Sequence, residues 1–264
     1  MTDLSGKTAL ITGSTSGIGE GIARGLAASG AAVAILDIRE DAAKRVAADI
    51  AKEYGIKAEG IVADVTSEDG VQAAVAAVVD ALGGLDVLVN NAGIAIPKPL
   101  TDFPLDTWDK TLAINLTGYF LMGRAAARVM ISRGAGGVIV NISSKSGVRG
   151  SAEHSAYNAT KSGEIGLTQG WARELAKHNI RVNAVLPGNV LKGSGIWNDE
   201  YKAGLAAKLG IDPSEVEDYY NKQVPLGRSC TVDDIANLVV FLASDKAGYI
   251  TGCMHLVDGG QEMR

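Results

Sequence analysis

Seven strand-length apolar runs, at residues 8–12, 32–37, 58–63, 86–90, 138–142, 181–186 and 254–257, carry no regular alternation of apolar and polar side chains. A strand with one face in water alternates. One that is apolar throughout is buried on both faces, which requires a parallel sheet covered by helices on each side. Helix-length segments rich in Ala, Leu and Val separate the runs, at 17–29, 41–54, 67–82, 155–178 and 231–243. This strand–helix alternation predicts a single α/β domain spanning 1–264, a Rossmann-type doubly wound parallel sheet of about seven strands with helices on both faces. One segment breaks the rhythm. Residues 190–223 are longer than an ordinary loop, read as two helical pieces around Gly210-Ile211-Asp212-Pro213, and are expected to form a helical lid over a substrate.

Composition removes several classes of function. With 47% hydrophobic and 21% charged residues the chain is neither disordered nor collagen-like. A net charge of -5 without a basic run excludes nucleic acid as a partner, since binding it needs a positive patch that releases counterions. Two cysteines make no disulfide framework, the start Met1-Thr2-Asp3-Leu4 lacks the features of a signal peptide, and no stretch is long enough to span a bilayer. A cytoplasmic protein with no membrane partner is expected. Metal chemistry finds no support either, because His154, His178 and His255 fit no ligand spacing.

Directly after the first run comes Thr12-Gly13-Ser14-Thr15-Ser16-Gly17-Ile18-Gly19, opening a helix. Glycines there permit a tight turn and close backbone approach to a pyrophosphate, and the helix N-terminus supplies N–H donors. The second run ends in Asp37, whose carboxylate can accept both hydroxyls of an adenosine ribose and would repel a 2′-phosphate, so NAD is the expected cofactor. Arg39, two residues on, could blunt that preference, or be a solvated charge at a helix start. Asp64 and Val65 can serve the adenine edge, Asp64 alternatively capping a helix, and Asn90-Asn91-Ala92-Gly93 lays small residues and amides at the crevice floor.

The sharpest local pattern is Tyr157-Asn158-Ala159-Thr160-Lys161. A spacing of four puts phenol and ammonium on one helix face, where the cation can stabilise the phenolate that acid/base chemistry at neutral pH demands. The fifth run ends in Ile142-Ser143-Ser144, placing a hydroxyl at the carboxyl edge of the sheet, and Asn115 is a costly polar insertion among apolar residues.

Jointly these marks resemble the short-chain dehydrogenase/reductase family over essentially the whole chain: the glycine pattern of Thr12–Gly19, Asn-Asn-Ala-Gly at Asn90–Gly93, Asn115, a serine thirteen residues before Tyr157, Tyr-x-x-x-Lys, and Pro187-Gly188. Counting back from Tyr157 selects Ser144 over Ser143. The resemblance implies hydride transfer at a nicotinamide, with Tyr157 as general acid/base and Ser144 orienting the substrate oxygen. Lys161 would assist Tyr157 and bind the nicotinamide ribose, and Asn115 would continue a proton relay. The cofactor set is then Gly13, Ser16, Gly17, Ile18, Gly19, Asp37, Ile38, Asp64, Val65, Asn91, Ala92, Gly93, Tyr157, Lys161, Pro187, Gly188 and Val190.

Where many members place a threonine that bonds the nicotinamide carboxamide, this chain has Lys192. The run from Pro187 to Ser194, with Lys208–Ile211, Tyr219–Leu226, Ser144–Gly147 and Asp258–Gln261, resembles the sorbitol-6-phosphate 2-dehydrogenase branch of that family. Gly193-Ser194-Gly195-Ile196 also resembles the dehydrogenase half of proteins that join it to a sugar-phosphate aldolase. The implied reaction is the interconversion of sorbitol 6-phosphate and fructose 6-phosphate. Lys145, His154, Asn189 and Lys192 are the substrate-contact candidates, and Arg149 and Lys202 are further cations in reach. A dehydrogenase of an unphosphorylated polyol or sugar, a 3-oxoacyl reductase-like enzyme, and a non-catalytic NAD-binding regulatory protein are the alternatives. By analogy with the family, a homotetramer is expected, with Trp171 at an interface or in the core.

Overall fold

The computed structural model describes residues 2–194, 197 and 199–262. Seven parallel strands form one sheet in the order β3-β2-β1-β4-β5-β6-β7. They are β1 (Thr8–Thr12), β2 (Ala32–Asp37), β3 (Ala58–Val62), β4 (Val87–Asn90), β5 (Gly137–Ile142), β6 (Ile180–Pro187) and β7 (Met254–Val257). Every pairing is parallel, from Thr8 against Ala32 in β1–β2 to Pro187 against Val257 in β6–β7. The expected strands are all present, with ends moved by a residue where backbone pairing outlasts or falls short of the apolar run.

Successive residues of the central strands feed opposite cores, and both cores are apolar, whereas the edge strands β3 and β7 are only partly buried. Ala9, Ile11, Val33, Ile35, Val87 and Val89 face one layer, made by α1 (Gly17–Ala28), α2 (Glu40–Tyr54) and α9 (Val232–Ala243). Leu10, Ala34, Leu36, Leu88 and Ile139 face the other, made by α3 (Glu68–Leu82), α5 (Gly118–Arg133) and α6 (Ser155–Leu175). Truncating a fully buried side chain such as Leu10 to alanine costs about 2–5 kcal/mol in such a setting. Helix starts are written locally: Ser67 accepts from the Gly70 N–H ahead of α3, and Thr231 and Asp234 form a reciprocal capping box at α9.

Between β4 and β5 the chain adds α4 (Leu105–Leu112), which runs through a π-helical turn at Ala113–Thr117 into α5. Asn115 sits in that turn, fully buried. Within 190–223 the two helical pieces are α7 (Asp199–Leu209) and α8 (Val216–Asn221), α8 being preceded by a 3₁₀ turn at Pro213–Glu215. Gly195 and Ile196, which carry part of the aldolase-linked resemblance, lie outside the described residues. Among the described residues no helix is long and apolar enough to cross a membrane. Trp171 is half-buried, and a Cβ at Gly123 of α5 would stand 2.6 Å from its ring, so it packs between α5 and α6 as part of the core.

Candidate active site

In this strand order neighbours change direction of winding between β1 and β4, and the crevice above their carboxyl ends is the natural ligand position. Thr12 and Asn91 knit the two ends together. Thr12 Oγ1 accepts from the N–H groups of Asn91 and Ala92 at 2.9 and 3.0 Å, and Asn91 Nδ2 donates to the carbonyls of Thr12 and Gly13 at 2.9 and 3.0 Å. Gly13 and Gly17 adopt left-handed φ of 60° and 63°, the conformation that favours glycine. At Gly19 the constraint is space, because a Cβ would lie 2.5 Å from both the Gly13 carbonyl oxygen and Asn91 Nδ2.

Ser16 occupies the N-cap of α1 with extended backbone, yet its side chain makes no capping bond. The first-turn N–H groups are therefore not taken by this side chain and could hold an anionic group, at the positive end of a 12-residue helix. This cradle fits a dinucleotide pyrophosphate, with Ile18 in the same turn and Gly93, where a Cβ would reach 3.3 Å from Asn115 Oδ1, on the facing loop.

At the far end Asp37 is buried and engaged. Thr15 Oγ1 donates to Oδ2 at 2.6 Å, and Arg39 donates to Oδ1 through its backbone N at 3.1 Å and its Nε at 3.0 Å. Burial works to raise this carboxyl, but the bonds from Arg39 and Thr15 outweigh it and hold it below the usual carboxylate range. Arg39 stands at the start of α2 with 59% of its side chain exposed, as a solvated charge does, and in addition pairs with Asp37. Ile38 next to it is 69% exposed, an apolar face that a planar base can cover. Asp64 spends its carboxylate on the N–H and hydroxyl of Thr66, at 2.9 and 2.7 Å, so it closes a turn and leaves the helix cap to Ser67. Val65 is buried behind it.

The reaction-site candidates gather past the carboxyl ends of β4 and β5. Ser144 Oγ accepts the Ser146 N–H at 3.1 Å, which occupies a lone pair and leaves the hydroxyl proton to donate outward. Lys161 is buried, and its Nζ lies 5.5 Å from the centre of the Tyr157 ring and 5.3 Å from that of Tyr119. The ammonium donates to the Ile142 carbonyl at 2.9 Å and to both carboxylate oxygens of Glu164, at 2.8 and 3.1 Å. Glu164 was not anticipated. Its only sequence signal is an acid three residues after Lys161 on the buried side of α6, a pattern that an exposed ion pair would share.

Asn115 is held by the Ile94 backbone, whose N–H donates to Oδ1 and whose carbonyl accepts from Nδ2, both at 2.9 Å, and by Thr160 Oγ1 at 3.2 Å. Its amide thus ties the β4 loop and the π turn to the residue preceding Lys161. A deeper relay of amides runs from Asn90 to Asn141 to Thr168, each step at 2.9 Å, and braces β4, β5 and α6 beneath the site.

The substrate candidates are mostly engaged. Lys145 donates to Gln261 at 2.7 Å, Arg149 pairs with Glu262 at 3.1 Å, and Lys192 pairs with Glu217 at 2.9 Å. Burial lowers the Lys145 ammonium from its ordinary range, against the raising influence of Glu262 and Asp258. His154 precedes α6 and contacts the Ala152 carbonyl through Nδ1 at 2.8 Å, its ring edge-on to Tyr157 at 6.1 Å. Asn189 follows the Pro187-Gly188 turn, where a Cβ on Gly188 would crowd Asp258 at 2.8 Å. Its Nδ2 is buried with no hydrogen-bond partner among the described residues, the condition of a donor awaiting an acceptor such as a carboxamide or a sugar oxygen. Val190 beside it is buried in the core. Lys202 borders a cavity of about 150 Å³ within residues 190–223, next to Trp197 and Glu217.

Residues 13–262 match the family model described as enoyl-(acyl carrier protein) reductase. The chain is 43% identical to sorbitol-6-phosphate 2-dehydrogenase of Escherichia coli (strain K12), over 97% of this chain and 99% of that one. It superposes with a TM-score of 0.93 on the crystal structure of sorbitol-6-phosphate 2-dehydrogenase SrlD from Erwinia amylovora, at 42% identity, covering 97% of this chain and all of that one. A gluconate 5-dehydrogenase from Burkholderia cenocepacia J2315, solved in complex with NADP and tartrate, superposes with a TM-score of 0.88 at 36% identity, covering 98% and 96% of the two chains.

Proposed function

This chain belongs to the short-chain dehydrogenase/reductase family, an oxidoreductase of CH–OH groups with a nicotinamide cofactor, and we propose that it is an NAD-dependent dehydrogenase interconverting sorbitol 6-phosphate and fructose 6-phosphate. The observation that carries the reaction is the buried Lys161 ammonium 5.5 Å from the Tyr157 ring, with Ser144 at the same sheet edge. The substrate rests on likeness to the E. coli enzyme along nearly the whole of both chains.

The cofactor supplies the hydride acceptor. Oxidation of a carbinol needs a proton to leave oxygen as hydride leaves carbon, and Tyr157 is the group that takes it. Ser144 donates its hydroxyl to the same oxygen and orients it. Lys161 stabilises the phenolate and holds the nicotinamide ribose, for which its ammonium exchanges a bond now made to Glu164 or Ile142. Asn115 holds a water that continues a proton relay from Lys161, and its side chain, bonded to Ile94 and Thr160, fixes the π turn beside that lysine. Asp37 accepts the adenosine ribose hydroxyls where Arg39 now sits, which favours NAD, while Arg39 offers a cation that a 2′-phosphate can use.

Lys145, Lys192, His154 and Asn189 line the approach to the substrate, and the 190–223 segment covers it as a lid on a single domain. A phosphate must draw Lys145 and Lys192 from Gln261 and Glu217. That prior pairing is also the observation that favours a second reading, an unphosphorylated polyol. In both readings the protein is a cytoplasmic homotetramer, for which exposed Leu105, Phe120 and Met254 provide apolar surface.

The test is NAD reduction with sorbitol 6-phosphate beside sorbitol, mannitol and galactitol, repeated with NADP and with Tyr157→Phe. Preference for the phosphorylated substrate, lost in the variant, is expected. Turnover of free polyols alone selects the second reading, and full activity in Tyr157→Phe overturns the mechanism.

A further inference from the structure

Glu164 is an acid beside the reaction-site lysine that the proposed reaction does not use. It is fully buried in the middle of α6, and it grips the Lys161 ammonium with both carboxylate oxygens at 2.8 and 3.1 Å. The Ile142 carbonyl, which also accepts from the Tyr119 hydroxyl at 2.9 Å, takes the remaining Nζ donor. The groups facing the carboxylate are Lys161 and, beyond it, Tyr157 on its own helix, Tyr119 from α5, and the Ser143 hydroxyl from the end of β5. A buried acid is expensive unless it is matched, so its place beside this lysine has a consequence for the lysine.

An isolated ammonium beside a phenol stabilises the phenolate through its full charge. An ammonium paired within 3 Å to a carboxylate acts as a dipole, whose field at the phenol is much weaker. We propose that Glu164 is a positioning residue of this enzyme: it holds the Lys161 ammonium beside Tyr157 and offsets its charge, so that the Lys161–Glu164 pair, not Lys161 alone, sets the proton affinity of the Tyr157 hydroxyl. This rests on the assignment of Tyr157 as the acid/base. Geometry carries it, and burial, which pushes the Glu164 carboxyl up to about 7 against the lowering effect of Lys161, adds that the offset itself changes within the working pH range.

Glu164→Gln keeps the shape and removes the charge. In NAD reduction with sorbitol 6-phosphate, the alkaline rise of kcat/KM is expected to move to lower pH by about 1–2 units. Ultraviolet titration of tyrosinate in the cofactor-free protein, read as the difference from Tyr157→Phe, is expected to move the same way. Glu164→Asp, whose carboxylate stands one methylene further from the ammonium, gives a smaller displacement in the same direction and serves alone if the glutamine variant does not fold. Profiles that coincide with the unsubstituted protein while thermal stability falls overturn the inference and leave Glu164 a structural partner. If Tyr157→Phe retains turnover, or sorbitol 6-phosphate is not oxidised, the functional reading has failed instead, and the tyrosinate titration still decides the role of Glu164.

Discussion

Gly19→Ala tests the cofactor cradle through one methyl group. Gly19 lies in the first turn of α1, and the new Cβ would stand 2.5 Å from the Gly13 carbonyl oxygen, 2.5 Å from Asn91 Nδ2 and 2.9 Å from Ser14 Cα. Two of these three neighbours are backbone and cannot swing aside. Asn91 can move only by giving up its bonds to the Thr12 and Gly13 carbonyls, at 2.9 and 3.0 Å. Overpacking costs about 1–3 kcal/mol and each net hydrogen bond about 0.5–1.5 kcal/mol, while alanine in a helix returns up to about 1 kcal/mol relative to glycine. The expected net loss is about 2–4 kcal/mol, a sizeable fraction of the stability of an ordinary domain. Because the displaced loop carries the N–H groups meant for the pyrophosphate, NADH affinity should fall at least about tenfold, which corresponds to about 1.4 kcal/mol. Guanidinium unfolding followed by circular dichroism reads the first quantity, and titration of NADH fluorescence the second. Gly204→Ala is the control, a helical site in α7 where a Cβ meets nothing within 4 Å, and it should leave both unchanged or slightly improved. Stability within about 0.5 kcal/mol of the parent, together with unaltered NADH affinity, would refute the close-approach argument.

Asn115→Ala removes the partner of the Ile94 N–H and carbonyl and of Thr160, so a loss of about 2–4 kcal/mol in unfolding free energy is expected, with turnover falling alongside it. Unchanged unfolding would show that the turn does not depend on this amide. Arg39→Ala frees the Asp37 carboxylate and takes away the cation nearest to it. The ratio of kcat/KM for NAD to that for NADP should rise, and a constant ratio in steady-state assays would remove Arg39 from cofactor choice. Glu164 also links stability to pH. Its folded-state value near 7 lies above the 4.5 of an ordinary glutamate, so the stability it contributes is fully present below 4.5 and is lost as pH rises through 7. The unfolding free energy of the parent relative to Glu164→Gln should therefore decline by something on the order of 3 kcal/mol across that window, and a flat difference would contradict the burial argument.

The sequence by itself determined the sheet and its layers. Runs such as those of β1 and β2 are apolar between polar ends, with no alternation, and a parallel sheet covered on both faces buries them, so the architecture followed from one-dimensional patterning. Tyr157 and Lys161 were legible for the same reason: a helix of known period turns a spacing of four into a shared face. A hydroxyl at the end of the fifth run was legible because a strand's carboxyl end faces the crevice, while the choice of Ser144 over Ser143 came only from the family resemblance.

Tertiary structure alone decided what each of these groups touches. That Asn91 ties β4 to the glycine loop depends on strands 79 residues apart in sequence becoming neighbours. Arg39 is solvent-facing as read, and its bond to Asp37 came only from the structure, because an arginine's long side chain can fold back to a carboxylate that spacing does not reveal. The lysines that spacing offered to a phosphate met Gln261 and Glu217, contributed by segments 116 and 25 residues away. Glu164 marks the boundary. Its letter three places after Lys161 fits an exposed pair on a helix surface, and only the packing of α6 against β5 and α5 excludes water and turns that pair into a buried charge couple beside the phenol. Hydrophobic period is a property of the chain, whereas burial of a charge is a property of everything packed around it.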